Sequence, residues 1–409
     1  MKIVKINEDI QEYNLDNGLK VYLHHNPSFK QYYANYTVNF GSNDTYYKIG
    51  RTTHKDPTGI AHYLEHLMFN KKDGDYFDDF SKLGASANAY TNYKQTSYLF
   101  SSSNNLEQNL KILLNMVQSI DITKPIVQKE LGIITEELNM YNLKPEFLNF
   151  QYLMENICTN NYQYDIGGDV ESIKEINLTM LRRIYQYFYN PSNCILFISG
   201  NLPEDLIQTI NKLQKIRKQK PIKRIIKPDN KFKKDSSKQY SLSNAKTPIS
   251  SLALKTQCVE DKNMILRLLA FDIFTDYLSS PVNSIYNKYY KEDILDSTFS
   301  TSYILEEDIS LILLSHYKDD KDILLKYLEE CISNISESDI NNLINKKVGE
   351  DIKVFNNPKQ IAEDNLELLL LNIDINQYYN TLFNIKPKQI IKEIKTMLKK
   401  KQIHTQVMN

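Results

Sequence analysis

The sequence predicts an α+β protein of two homologous αβ domains, each a mostly antiparallel sheet with helices packed on one face. Three observations carry this expectation. A chain of 409 residues is too long for one hydrophobic core and suits two ordinary domains. In both halves, short alternating segments interleave with longer segments of helical periodicity. Between the halves lies KLQKIRKQKPIKRIIKPDNKFKKDSSK, residues 212–238, with twelve basic residues and two acidic ones. The expected division is a first αβ domain over 1–211, a basic linker over 212–238 and a second αβ domain over 239–409.

Taken in order, NLDNGLKVYLHH carries the turn signal Asp16-Asn17-Gly18 and opens a hairpin. YYANYTVNFGS follows, an alternating strand with Ala34, Tyr36, Val38 and Phe40 on one face. A short apolar helix over 58–69 comes next, then GASANAYTNYKQTSYLFSSS, whose second half reads as extended. LEQNLKILLNMVQSI is an amphipathic helix, and Pro125 suits the first turn of another, PIVQKELGIITEELNMYN. NLTMLRRIYQYFY reads as helix, NCILFISGNL as a buried strand and LPEDLIQTINKLQ as a closing helix. Beyond the basic stretch the pattern restarts with strand ISSLALKTQ, helix NMILRLLAFDIFTDYLSS, strand ISLILLSHY and a terminal strand near IHTQVMN.

Composition narrows the function classes. Lysine plus arginine (50) equals aspartate plus glutamate (50), so no net field points to nucleic acid or to a membrane surface. The basic run holds a single aromatic, Phe232, too few to interleave, and reads as a solvated linker rather than a nucleic-acid arm. Cys158, Cys194, Cys258 and Cys331 form no CxxC pair, which argues against a disulfide framework or a cysteine zinc site and for a reducing compartment. The opening MKIVKINEDIQEYNLDNG has no apolar leader core, and no run is long and uncharged enough to span a bilayer. A cytoplasmic protein is expected.

The chemistry concentrates in GIAHYLEHLMFN, residues 59–70. On a helix, at about 100° per residue, His62 and His66 lie one turn apart, Glu65 stands beside them, and Ile60, Leu64 and Leu67 face away. Histidines at i and i+4 can converge on one Zn²⁺, and an adjacent glutamate can serve as general base toward a water that the metal activates. A catalytic zinc needs a third protein ligand and one open position. The helix after Pro125 places Glu130 and Glu137 nearly eclipsed within an apolar stripe of Ile126, Val127, Leu131, Ile133, Ile134 and Leu138, while Glu136 projects off that face. Carboxylates centred on a buried face call for a cationic partner. Two neutral imidazoles and one carboxylate would leave one zinc ion at net +1, a good Lewis acid for amide hydrolysis. Glu130 would suit a role one ring further out, accepting a hydrogen bond from a ligand imidazole and fixing its tautomer. His24 and His25, at the end of a strand, are expected at its exposed end. His54, His316 and His404 stand alone and are read as structural or solvated.

These residues resemble the inverzincins, the insulinase/pitrilysin family of zinc metallopeptidases with its inverted HxxEH order. His62-Tyr-Leu-Glu65-His66 matches the motif, GASANAYTNYKQTSYLF is similar to the family's substrate-side strand, and KELGIITEELNMY to its third-ligand helix. DIGGDVESIKEINLTMLRRIYQYFYNPSNCILFISGNL resembles the close of its catalytic domain. The resemblance spans about residues 14–202 and recurs in LSSPVNSIYNKYYKEDILDSTFSTSY. It is nearest to half-size bacterial members, which are often found as two-subunit peptidases.

The resemblance implies that His62, His66 and Glu137 bind zinc, that Glu65 is the base and that Glu130 supports a ligand. It also implies that Asn88 and Ala89 lie on the segment that pairs with substrate backbone. Active members usually draw an arginine and a tyrosine from a non-catalytic domain to the substrate. Here IYNKYYKEDILDSTF holds no arginine, Tyr289 and Tyr290 are present, and Asp296 stands near the expected tyrosine. A related second subunit, in a heterodimer or a homodimer, is therefore expected to complete the site of a zinc endopeptidase acting on short or unfolded peptides. The alternative is a catalytically silent binding or scaffolding subunit.

Overall fold

The computed structural model describes residues 2–3, 8–71, 74–216, 223–225, 228–241, 247–259 and 264–409. The chain forms two compact αβ units. The first gathers Met1–Asn139, Asp165–Ile225 and Lys353–Leu370, and the second gathers Met140–Tyr164, Ile226–Ile352 and Leu371–Asn409. A single cut near residues 211–239 does not describe this arrangement. The helix Pro145–Ile157 belongs to the second unit and the helix Pro358–Leu370 to the first. Sequence periodicity marks a helix's apolar face but not which core receives it.

The first unit is built on a seven-stranded sheet in the order Lys2–Ile3, Glu8–Asn14, Lys20–His25, Cys194–Gly200, Tyr32–Val38, Thr96–Ser102, Ser86–Thr91. The opening hairpin pairs Asn14 with Lys20, and Gly18 turns it with φ of 89°. That positive φ is a conformation glycine adopts without a Cβ clash. All inter-strand pairings are antiparallel except that of Cys194–Gly200 with Lys20–His25. Cys194–Gly200 thus fills the slot between two strands that precede it by more than 150 residues. GASANAYTNYKQTSYLFSSS is extended in both halves and forms a hairpin whose first strand, Ser86–Thr91, is the last in the sheet.

One face of this sheet buries Ala34, Tyr36, Val38 and Phe40 against helices, as their alternation requires. Leu106, Leu110, Leu113, Leu114 and Val117 of the helix Leu106–Val117 pack into the same core. The helix Pro358–Leu370 packs on Tyr32–Val38 and Cys194–Gly200, and the Tyr33 hydroxyl donates to Glu363 Oε1 at 2.7 Å. His24 is fully buried rather than exposed. Its Nδ1 lies 2.9 Å from Ser199 Oγ and its Nε2 2.9 Å from Glu8 Oε2. The inserted strand covers it. His25 is exposed, and its Nδ1 accepts from the Leu202 amide.

The second unit has a five-stranded sheet in the order Ser236–Tyr240, Lys401–Met408, Ile249–Thr256, Ile309–His316, Ser300–Glu306. Its first pair is parallel and the others are antiparallel. Met264–Ser279 is the long helix expected there, with Leu269, Phe271, Phe274 and Leu278 buried.

The basic stretch is not a solvated linker throughout. Lys223–Arg224 adds a strand to Tyr46–Ile49, and Arg224 donates to Asn39 Oδ1 at 2.8 Å. Asp229 is buried and meets the buried Lys255 ammonium at 2.7 Å, and Ser236–Tyr240 is a sheet strand. Lone buried carboxylates and ammoniums are costly, so each supplies the other's missing partner. Residues 217–222 and 226–227 of the expected linker lie outside the described residues.

Candidate metal centre

The motif helix runs Ile60–Met68 and starts after Gly59, which has φ of 83°. Ile60, Ala61, Tyr63, Leu64, Leu67 and Met68 are buried, which leaves His62, Glu65 and His66 on the half-buried side. Each buried leucine or isoleucine contributes about 1.5–3 kcal/mol, enough to fix which way the imidazoles face. The helix start is locked by the glycine loop Asp165–Asp169. A Cβ on Gly59 would stand 2.2 Å from the Gly167 carbonyl oxygen, and one on Gly168 2.7 Å from the Thr58 oxygen. Backbone meets backbone here, so both sides need glycine. The Ser172 hydroxyl adds a bond to the Thr58 oxygen at 2.7 Å.

The second contributor is the helix Lys124–Tyr141, with Pro125 in its first turn. Val127, Glu130, Ile134 and Leu138 are buried, but Ile133 is 46% exposed. The buried arc is therefore rotated away from Ile133, and Glu137 stands at its margin rather than at its centre. A marginal position gives the carboxylate both a dry neighbour and an open side, and Glu136 is exposed as expected.

His62, His66 and Glu137 come together, each offering one ligand atom within 4.8 Å of the others. His62 Nε2 and His66 Nε2 are 3.2 Å apart, and Glu137 Oε2 is 3.3 Å from His66 Nε2 and 3.9 Å from His62 Nε2. With bonds of about 2.0–2.1 Å, a tetrahedral zinc separates its ligand atoms by about 3.3 Å. Two edges match that value, and the third closes with a small turn of the Glu137 carboxylate. Two imidazole nitrogens and a carboxylate oxygen aimed at one point form a donor set for a divalent cation. The residues present fit a zinc ion.

Electrostatics support the assignment of protons. Burial, together with the neighbouring His66, pushes the His62 pKa down to about 4, so its ring is neutral, the state in which it can ligate. For His66, burial pulls the pKa down, but the Glu130 hydrogen bond and the charges of Glu65, Glu130 and Glu137 outweigh it and raise it. His66 Nδ1 lies 3.0 Å from Glu130 Oε1, and since a carboxylate accepts, Nδ1–H donates and Nε2 faces Glu137. Glu65 stands beside this cluster, half-buried. Burial pushes its carboxyl up, opposed by a 2.6 Å hydrogen bond from the Thr91 hydroxyl.

Asn88 and Ala89 lie on the edge strand Ser86–Thr91, where Asn88 is exposed and its Oδ1 accepts from the Ala89 amide at 2.9 Å. In the second unit, Tyr289 is buried and donates to Glu330 Oε1, Tyr290 is 49% exposed, and Asp296 accepts from the Thr298 amide and hydroxyl. Thr91, Gly59 and the Gly167-Gly168 pair escaped the sequence reading. Their signals were present: Thr91 falls two residues after Ala89 on the same strand face, and DIGGD pairs two glycines.

Comparison with known proteins decides the family. The profile for insulinase (peptidase family M16) matches residues 20–168, and that for the M16 inactive domain matches residues 175–347. The uncharacterized zinc protease YmfH of Bacillus subtilis is 32% identical over 384 residues, covering 91% of this chain and 90% of that protein. The chain belongs to the insulinase family. Among solved structures, an M16-like peptidase from Alicyclobacillus acidocaldarius is 25% identical, with a TM-score of 0.90 over 98% of this chain and 99% of that one. A protease from Helicobacter pylori shares the fold at 16% identity, with a TM-score of 0.83 over 98% of this chain and 100% of the other. The family carries the two-domain α+β architecture and a zinc protease descent. No helix among the described residues is long and apolar enough to cross a membrane.

Proposed function

We propose that this insulinase-family chain is a zinc-dependent endopeptidase that cleaves short or unfolded peptides, with a related second subunit completing its substrate site. The observation that carries the reading is the convergence of His62 Nε2, His66 Nε2 and Glu137 Oε2 with Glu65 beside them. A single zinc ion held there would supply Lewis-acid polarisation of the scissile carbonyl and lower the pKa of water. Glu65 takes the proton of the attacking water and passes it to the leaving amine, a transfer its carboxylate serves as base and then as acid. Glu130 holds the His66 ring in one tautomer.

Asn88 and Ala89 would receive the peptide as an added strand, because an edge strand binds extended backbone with little regard to side chains. The second-subunit part rests on the segment IYNKYYKEDILDSTF, which holds no arginine and whose Tyr289 hydroxyl is taken by Glu330. A cytoplasmic location belongs to the same proposal, in keeping with four free thiols.

The test compares wild type with Glu65→Gln for zinc content and for cleavage of an unstructured peptide library, with and without a related chain from a neighbouring gene. Zinc retained in both proteins, with hydrolysis lost in Glu65→Gln, supports the reading. A zinc-loaded wild type that binds peptides and cleaves none, alone or with the partner, overturns it in favour of a scaffolding subunit. Full activity without any partner removes the second-subunit part.

A further inference from the structure

The substrate-side strand and the base are joined by one hydroxyl. Ser86–Thr91 alternates, with Ala87 and Ala89 packed against the core that holds the motif helix. Thr91 continues that face, and its Oγ1 lies 2.6 Å from Glu65 Oε2. Thr91 is the donor and the Glu65 carboxylate the acceptor. The Thr96 hydroxyl spends its single proton on the Phe40 carbonyl at 2.9 Å, and its 3.4 Å approach to Thr91 is too long to compete.

We propose that Thr91 is the positioning residue of the general base. Its hydroxyl anchors Oε2 of Glu65, which leaves Oε1 as the oxygen that meets water. A carboxylate with free χ angles samples several rotamers, and a misplaced base forfeits much of the roughly 10²–10⁴-fold that a well-placed one supplies. Because Thr91 ends the strand on which the peptide would add, the base is also held in register with that strand. This inference rests on the endopeptidase reading.

The experiment uses the zinc-loaded full chain, with its partner subunit if activity needs one. Thr91→Val keeps the shape and β-branching but removes the proton, and Thr91→Ser restores it. The expected result for Thr91→Val is unchanged zinc content, KM within about twofold and kcat lower by about tenfold or more, with Thr91→Ser within about threefold of wild type. A crystal structure of zinc-loaded Thr91→Val should show the Glu65 carboxylate turned from its wild-type rotamer. Should Thr91→Val fold poorly by its melting temperature, Thr91→Ala carries the same comparison.

A Thr91→Val enzyme with wild-type kcat, or with Glu65 unmoved, overturns the inference while leaving the peptidase reading intact. Equal losses in Thr91→Val and Thr91→Ser, with zinc also lost, overturn it as well and assign Thr91 to packing. A wild type that cleaves nothing overturns the peptidase reading itself, and the Thr91 role with it.

Discussion

His66 Nδ1 stands 3.0 Å from Glu130 Oε1, so a buried carboxylate, not solvent, orients the ring whose other nitrogen faces Glu137. Partners of this kind are worth about 10–100-fold in metal affinity. Glu130→Gln should therefore weaken zinc binding by about that factor while leaving the fold intact, as measured by competition with a chromophoric chelator. Unchanged affinity would show that the ring is held by packing alone.

Glu137→Ala removes one of three converging donors and leaves two imidazoles on one helix. Two such ligands do not form a closed protein site for catalytic zinc. Dialysed Glu137→Ala should retain well under one zinc per chain by elemental analysis. Glu136→Ala, on the exposed side of the same helix, should retain as much as wild type.

Gly59→Ala is expected to destabilise the first unit by roughly 2–4 kcal/mol, combining a left-handed residue with a backbone collision. The added Cβ would lie 2.2 Å from the Gly167 oxygen, which no side-chain rotation relieves. Urea denaturation gives the cost, and a parallel loss of zinc affinity would show that the glycine loop sets the His62 position.

The buried pair Lys255–Asp229 lends itself to a double-mutant cycle. Lys255→Met leaves a carboxylate with no ammonium beside it and should cost about 3–5 kcal/mol. Adding Asp229→Leu should recover much of that loss, although the bonds from Thr159 to Asp229 go with it. If both single and double variants melt as wild type does, the pair is dispensable.

His316 is fully buried, and neither ring nitrogen has a hydrogen-bond partner. Burial lowers its pKa, Lys318 acts in the same direction, and Asp296 and Asp320 oppose. A histidine that is depressed when folded binds its proton more readily when unfolded. Stability from this group is thus full above pH of about 6.5 and is lost as pH falls toward the folded value. His316→Leu should flatten that acid-side decline in the melting temperature between pH 7 and 5. An unchanged slope would place the titration elsewhere.

Much of the site was legible because its spacings are local. Residues four apart put two imidazoles on one side of a helix, and residues seven apart nearly eclipse two carboxylates, whatever the tertiary setting. The burial of His24, the exposure of Ile133 and the pairing of Asp229 with Lys255 were not legible. Each depends on which distant segment arrives: Cys194–Gly200 beside His24, or the segment around Asp229 beside the strand of Lys255. Periodicity tells which face is apolar and is silent on what covers it. Thr91 was missed for a related reason, since its hydroxyl gains meaning only when the motif helix lies beneath its strand.

The late insertion of Cys194–Gly200 between Lys20–His25 and Tyr32–Val38 sets an order of events during synthesis. All three donors have been translated by residue 137, but the sheet beneath them still has an open seam, and the glycine loop that seats the first helix is not yet made. The nascent chain then carries His62, His66 and Glu137 without the frame that brings them together. The seam closes only once some sixty further residues, through Gly200, have been made.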